Sequence, residues 1–91
     1  MSSGKDIFKL HQAQTFPFPS CLEIESAKGS YIYDVNGKAY LDFVAGVSSS
    51  TLGHSNPIIT NAVKDQLEKY AHVMVYGEYV QSSQYKLAEL L

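Results

Sequence analysis

The chain has 91 residues, a net charge of −2, and seven basic residues that are all lysine. This length suits one small domain, and the lack of arginine and of any basic stripe argues against nucleic acid as a partner. Cys21 is the only cysteine, so no internal disulfide can form, and the apolar runs are too short to span a membrane. Because residues 1–14 contain no apolar stretch of signal-peptide length, we expect a cytoplasmic protein.

The first part of the chain, residues 1–15, is polar, and we expect a flexible tail without regular structure before a folded part at 16–91. The sequence Phe-Pro-Phe-Pro at 16–19 predicts an extended segment, because proline restricts its own φ and disfavours helix in the residue before it. Two interpretations remain open. The segment is either a strap packed over the domain or a wall of a pocket.

A β pattern follows, with apolar residues at alternate positions. It predicts strands near 22–26, 30–35 and 38–43 that form a small antiparallel meander. Between the last two strands, Asn36 and Gly37 predict a type I′ turn, which requires positive φ at both central residues.

Residues 44–56 contain mostly small and hydroxyl-bearing side chains, which predicts a loop. Such a loop is either a plain connector or a place where backbone approaches a ligand or another chain closely. Its length of about a dozen residues favours the functional interpretation.

Two helices are predicted after this loop. Asn56 suits the N-cap and Pro57 the first helical position. The helical pattern breaks at Gly77, and a second helix is predicted to begin near Val80. The pattern still runs at Leu91 without a capping residue, which we interpret as a fragment of a longer protein.

The residues alone predict no catalyst. The chain has no nucleophile motif and no glycine-rich phosphate loop, and its histidines and cysteine lack metal-ligand spacing. All seven lysines occur in tails, turns or polar helix faces, without the desolvated setting that a Schiff-base lysine needs. We therefore assign no catalytic, cofactor-binding or metal-binding residue, and the composition indicates a small α+β domain.

The order of residues 29–57 carries more information. The segment reads G-x-Y-x-x-D-x-x-G-x-x-Y-x-D from Gly29 to Asp42, and G-H-x-x-P from Gly53 to Pro57. This order resembles the opening of the class III (ornithine, acetylornithine and 4-aminobutyrate type) aminotransferases. The resemblance covers residues 16–91 and implies the N-terminal part of a fold type I enzyme.

The resemblance implies a homodimer that uses pyridoxal 5′-phosphate (PLP) to move an amino group from an amino-acid or ω-amino donor to a 2-oxo acid. The cofactor's lysine and its phosphate-binding turn would lie outside these 91 residues, so we expect the chain alone to be inactive and without PLP. The alternative is a free-standing α+β interaction domain without catalysis.

The same resemblance implies roles for particular residues. Val47 and Ser48 are expected to line the substrate site, with Phe18 near its entrance. Tyr76 is expected to point towards the partner subunit's site. Asp42 and His54, by contrast, are interpreted as structural residues that hydrogen-bond within the turn and loop.

Overall fold

A computed structural model describes residues 3–91. The helices and strands, in chain order, are α1 (Gly4–His11), β1 (Ile24–Lys28), β2 (Tyr31–Asp34), β3 (Ala39–Leu41), α2 (Ala45–Ser48), α3 (Pro57–Lys69) and α4 (Ser82–Leu90). They fall into two compact units, Met1–Pro57 and Ile58–Leu91, and each is described by itself. The predicted α+β class is confirmed.

Helix α1 lies where the sequence analysis expects an irregular tail, so that expectation is wrong over Gly4–His11; residues 1–2 of the expected tail lie outside the described residues. A capping box begins the helix. The Ser3 hydroxyl accepts a hydrogen bond from the Asp6 N–H at 3.2 Å, and the Asp6 carboxylate accepts one from the Ser3 N–H at 3.3 Å. Such reciprocal bonds satisfy two backbone donors at the helix start.

The sheet is a three-stranded meander in the order β1-β2-β3, with both pairs antiparallel. In the register of the sheet, Ile32 of β2 pairs with Ala27 of β1 and with Tyr40 of β3. A bulge interrupts the β1–β2 ladder between Ile24 and Ser26. The predicted meander is confirmed, although β1 lies two residues later than expected and β2 and β3 are shorter than the alternation suggested.

The turn between β2 and β3 is not the predicted type I′ turn. Gly37 has φ 81°, but Asn36 has no positive φ. The carboxylate of Asp34 explains the difference, because its Oδ1 accepts the N–H groups of Asn36 and Lys38, both at 2.9 Å. The Gly37 N–H donates to the Asp34 carbonyl at 2.9 Å. The result is a three-residue loop closed by a left-handed glycine.

The second unit contains the two predicted helices. Helix α3 begins at Pro57, as the sequence predicts, and α4 begins at Ser82, close to the expected Val80. The apolar side of α3, with Ile59, Val63 and Leu67 among its residues, lines an open groove of about 490 Å³. The apolar positions that recur at helical spacing in the sequence therefore lie on the same side of α3.

Among residues 3–91 no side chain is buried, and large apolar side chains are exposed along the chain. The elements therefore present apolar faces that this chain alone does not cover. Within the same residues, no helix has the length and hydropathy needed to cross a bilayer.

Candidate functional site

The loop after β3 contains a short stretch of unusual backbone. The four residues of α2, Ala45 to Ser48, all have positive φ, with values of 51°, 60°, 60° and 70° in chain order. For an L-residue the left-handed conformation costs about 1–2 kcal/mol, so the surrounding structure must hold the turn. A β-branched residue such as Val47 is especially uncommon there.

Asp42 holds the entry to this turn. One carboxylate oxygen, Oδ1, accepts the N–H groups of Val44 and Ala45, each at 3.0 Å. The exit is tied by the Ser50 N–H, which donates to the Ala45 carbonyl at 2.9 Å, and by the Ser49 hydroxyl, which donates to the Gly46 carbonyl at 2.9 Å. These bonds close the chain tightly around α2.

The other oxygen of Asp42 meets His54, with 2.6 Å between Oδ2 and the ring Nε2. Both side chains are partly withdrawn from solvent, with exposures of 22% for His54 and 11% for Asp42. Since an ionised carboxylate can only accept hydrogen bonds, the His54 Nε2 carries the proton. This bond, followed by those from the Ala45 and Val44 N–H groups, lowers the pKa of Asp42 below its ordinary value.

The loop is also anchored to the β1–β2 turn through backbone. His54 and Gly29 exchange two hydrogen bonds, at 2.8 and 2.9 Å. The Asp42 N–H donates to the Ser30 carbonyl at 2.8 Å, and the Ser55 hydroxyl donates to the Ala27 carbonyl at 2.8 Å. Both ends of the loop are therefore fixed to the same hairpin.

A small cavity of about 200 Å³ lies beneath the loop. Asp42, Ala45, Gly53 and His54 are among its lining residues. Ligand pockets usually span about 300–1,000 Å³, so this space is smaller than a typical ligand site.

The predicted substrate residues lie on the outside of the loop. Val47 is 85% exposed, and Ser48 is its exposed neighbour on the same turn. Phe18 is 80% exposed in the segment before the sheet, where its ring packs edge-to-face against Phe16. Tyr76 is 73% exposed and belongs to the second unit. Their roles stay predictions.

The predicted structural role of Asp42 and His54 is confirmed by their hydrogen bonds. Sequence reasoning missed the left-handed turn between them. The sequence offers two signals for this turn. One is Gly46, and the other is Asp42, which lies two residues before Val44 and three before Ala45, whose N–H groups it caps. Both signals are common in loops.

The described residues do not fit a PLP cradle. All seven lysines are exposed, and no arginine is available to clamp a phosphate. Within residues 3–91, no three His, Cys, Asp or Glu side chains are grouped to hold a metal ion.

Comparison with known proteins identifies the architecture. The aminotransferase class-III family model matches residues 13–91. The acetylornithine aminotransferase of Archaeoglobus fulgidus is 42% identical over 83 residues, which are 91% of this chain and 21% of that protein.

Two solved structures share the backbone. The acetylornithine aminotransferase of Elizabethkingia anophelis has a TM-score of 0.77 and 29% identity, over 93% of this chain and 22% of that one. The omega transaminase of Pseudomonas jessenii in complex with PMP has a TM-score of 0.78 and 28% identity, over 98% and 21%. The chain thus spans about a fifth of the length of these relatives.

The meander and helices are part of the fold type I aminotransferase architecture. Within that class, the chain belongs to the class III aminotransferase family and corresponds to its N-terminal segment.

Proposed function

We propose that the full-length protein carrying this segment is a PLP-dependent aminotransferase that moves an amino group from an amino-acid or ω-amino donor to a 2-oxo acid. The observation that carries this proposal is the family match across residues 13–91, together with the acetylornithine aminotransferase relative at 42% identity. We further propose that the enzyme is a cytoplasmic homodimer. In such an enzyme the cofactor supplies the electron sink, and the protein supplies position and protonation.

Within that enzyme, we assign this chain to the substrate side of the site. Val47 offers an exposed apolar side chain on a turn that is tied at both ends, which suits contact with the carbon chain of a donor. Ser48 adds a hydroxyl beside it. Phe18 offers an exposed ring for the site entrance, and Tyr76 an exposed ring for the partner subunit's site.

The 91-residue chain alone is expected to bind no PLP, because all its lysines are exposed and lack the desolvated setting that a Schiff-base lysine needs. Mixing the chain with PLP, reducing with borohydride and mapping the products tests this expectation. One stoichiometric adduct at a single lysine would contradict it, whereas scattered substoichiometric labelling would support it.

The test of the proposed activity uses the full-length protein. Purified protein with PLP is given N-acetylornithine, ornithine or 4-aminobutyrate with 2-oxoglutarate, and glutamate formation is measured. Turnover of at least one donor is expected. A folded protein that retains PLP but converts no donor would contradict the proposal.

The alternative of a free-standing interaction domain has weaker support. A domain that folds independently has its own hydrophobic core, and no side chain among residues 3–91 is buried.

A further inference from the structure

The left-handed turn α2 requires an explanation, because its four residues adopt positive φ without a sequence that favours it. Only Gly46 takes this conformation freely. Ala45, Val47 and Ser48 carry side chains that oppose it. Something outside the turn must therefore supply the compensating interactions.

We propose that Asp42 and His54 are positioning residues that keep α2 left-handed and so set where Val47 and Ser48 meet the amino donor. The inference rests on the proposed function. Neither side chain needs to touch the substrate, since each acts through the backbone of the turn.

The two oxygens of the Asp42 carboxylate have different partners. Oδ1 of Asp42 accepts the N–H groups of Val44 and Ala45, the residues at which the chain enters the turn. Oδ2 is held by His54 at 2.6 Å. A carboxylate held at both oxygens cannot rotate away from the N–H groups, so the bond to His54 fixes the direction of the caps.

His54 is itself anchored through its backbone. Its backbone exchanges two hydrogen bonds with Gly29, in the turn between β1 and β2. The Asp42 N–H is bound to Ser30 in the same turn. The β1–β2 hairpin therefore fixes the positions of both Asp42 and His54, and these two residues in turn fix the position of α2.

A matched control exists in the same sheet. Asp34 also caps two backbone N–H groups through Oδ1, those of Asn36 and Lys38, and its Oδ2 accepts the Tyr40 hydroxyl at 3.0 Å. The two aspartates make the same kinds of bonds. Only Asp42 caps the turn that carries Val47, so only Asp42 should influence donor recognition.

The experiment compares Asp42→Ala, His54→Ala and Asp34→Ala in the full-length PLP-loaded enzyme. kcat/KM is measured for a short and a long amino donor, beside the thermal midpoint. A misplacement of about 1 Å can cost on the order of 100-fold, so we expect Asp42→Ala to lower kcat/KM for the long donor about 10- to 100-fold. The short donor should lose less. Asp34→Ala should lower the thermal midpoint and leave the donor ratio unchanged.

Three further variants separate positioning from general damage. Asp42→Asn keeps an oxygen for both caps, and its amide N–H can donate to the His54 Nε2 in the other tautomer of the ring, so this variant should retain the donor ratio. Adding Ala45→Gly to Asp42→Ala removes a side chain that opposes positive φ and should restore part of the lost efficiency. Since the two side chains act as one unit, the Asp42→Ala/His54→Ala variant should lose little more than Asp42→Ala alone.

The inference is overturned if folded Asp42→Ala or His54→Ala enzyme keeps the wild-type donor ratio, or if Ala45→Gly restores nothing. His54→Ala keeps the Asp42 carboxylate but frees it to rotate away from the two N–H groups, so it decides the matter if Asp42→Ala does not fold. An unsubstituted enzyme that converts no donor contradicts the proposed function instead, so the two failures are distinct.

Discussion

A Cβ placed on Gly53 would lie 3.3 Å from the carbonyl oxygen of Gly29. The two glycines come from turns that are far apart in the chain, and the two hydrogen bonds between Gly29 and His54 bring them together. The contact is with backbone, which cannot move without disturbing those bonds. Gly53 is therefore required both for its φ of 82° and for the close approach.

Replacing Gly53 by alanine is expected to destabilise the protein more than replacing Gly37. Both positions have nearly the same φ, 82° and 81°, but a Cβ on Gly37 meets nothing within 4 Å. The left-handed conformation alone should cost Gly37→Ala about 1–2 kcal/mol, and Gly53→Ala should cost more. Urea unfolding of the full-length variants measures both. Gly77→Ala, at an open position without positive φ, is the control; equal losses at 37 and 53 would contradict the prediction.

Acid should weaken the loop through Asp42 and Asp34. Hydrogen bonds, chiefly from the His54 side chain to Asp42 and from the Lys38 N–H to Asp34, hold both pKa values below the ordinary 3.8. The unfolded chain then binds more protons than the folded chain as pH falls through this range. The stabilisation is complete above the ordinary pKa and is lost as pH decreases through the lowered one.

Asp42→Asn and Asp34→Asn should each flatten the pH dependence of the unfolding midpoint below about pH 4, and the double variant should flatten it further. Denaturant unfolding between pH 3 and pH 6 measures this slope. A double variant with the slope of the unsubstituted protein would show that these carboxylates do not drive the acid response.

Enlarging Val47 should change donor choice in the full-length enzyme. Val47→Trp replaces a β-branched residue with a bulky one, and both kinds are uncommon in the left-handed region, so the backbone strain should change little. The larger ring should exclude long ω-amino donors, which typically changes specificity by about 1–3 kcal/mol. Steady-state kinetics on a short and a long donor measure the effect, beside the thermal midpoint.

Val44→Trp is the matched control, because Val44 is exposed in the same loop but precedes the left-handed turn. If Val47 is instead a core position of the whole enzyme, overpacking should cost about 1–3 kcal/mol of stability. A lower thermal midpoint with an unchanged donor ratio would support that alternative.

The isolated 91-residue chain is expected to associate with itself. The end of the chain has exposed apolar side chains at Leu87 (58%), Leu90 (84%) and Leu91 (96%), and Tyr76 is also exposed. Apolar patches of several hundred Å² usually drive association, and exchange of the terminal helix is one route. Light scattering across a concentration series measures the mass. Leu87→Lys/Leu90→Lys should reduce association, and a monomer at high concentration would contradict the prediction.

The sequence by itself determined the features that depend on local chemistry. The meander follows from alternation and from glycines at the turns, and α3 begins at Pro57 because proline suits the first helical position. Helix α1 also had a local signal, the pair Ser3 and Asp6, which the polar composition of the tail obscured. The order of conspicuous residues from Gly29 to Pro57 was sufficient to indicate the family.

The tertiary structure alone decided the conformation of the loop. The β2–β3 turn is a local exception: Asn36-Gly37 favours a type I′ turn, but the carboxylate of Asp34, two and four residues away, stabilises a different one by capping two N–H groups. Ala45, Val47 and Ser48 have no local preference for positive φ, and the conformation of the turn depends on Asp42, which is held by a histidine twelve residues away. Hydrogen bonds between residues distant in the chain outweigh a local backbone preference of about 1–2 kcal/mol per residue, and alternation or spacing does not encode them.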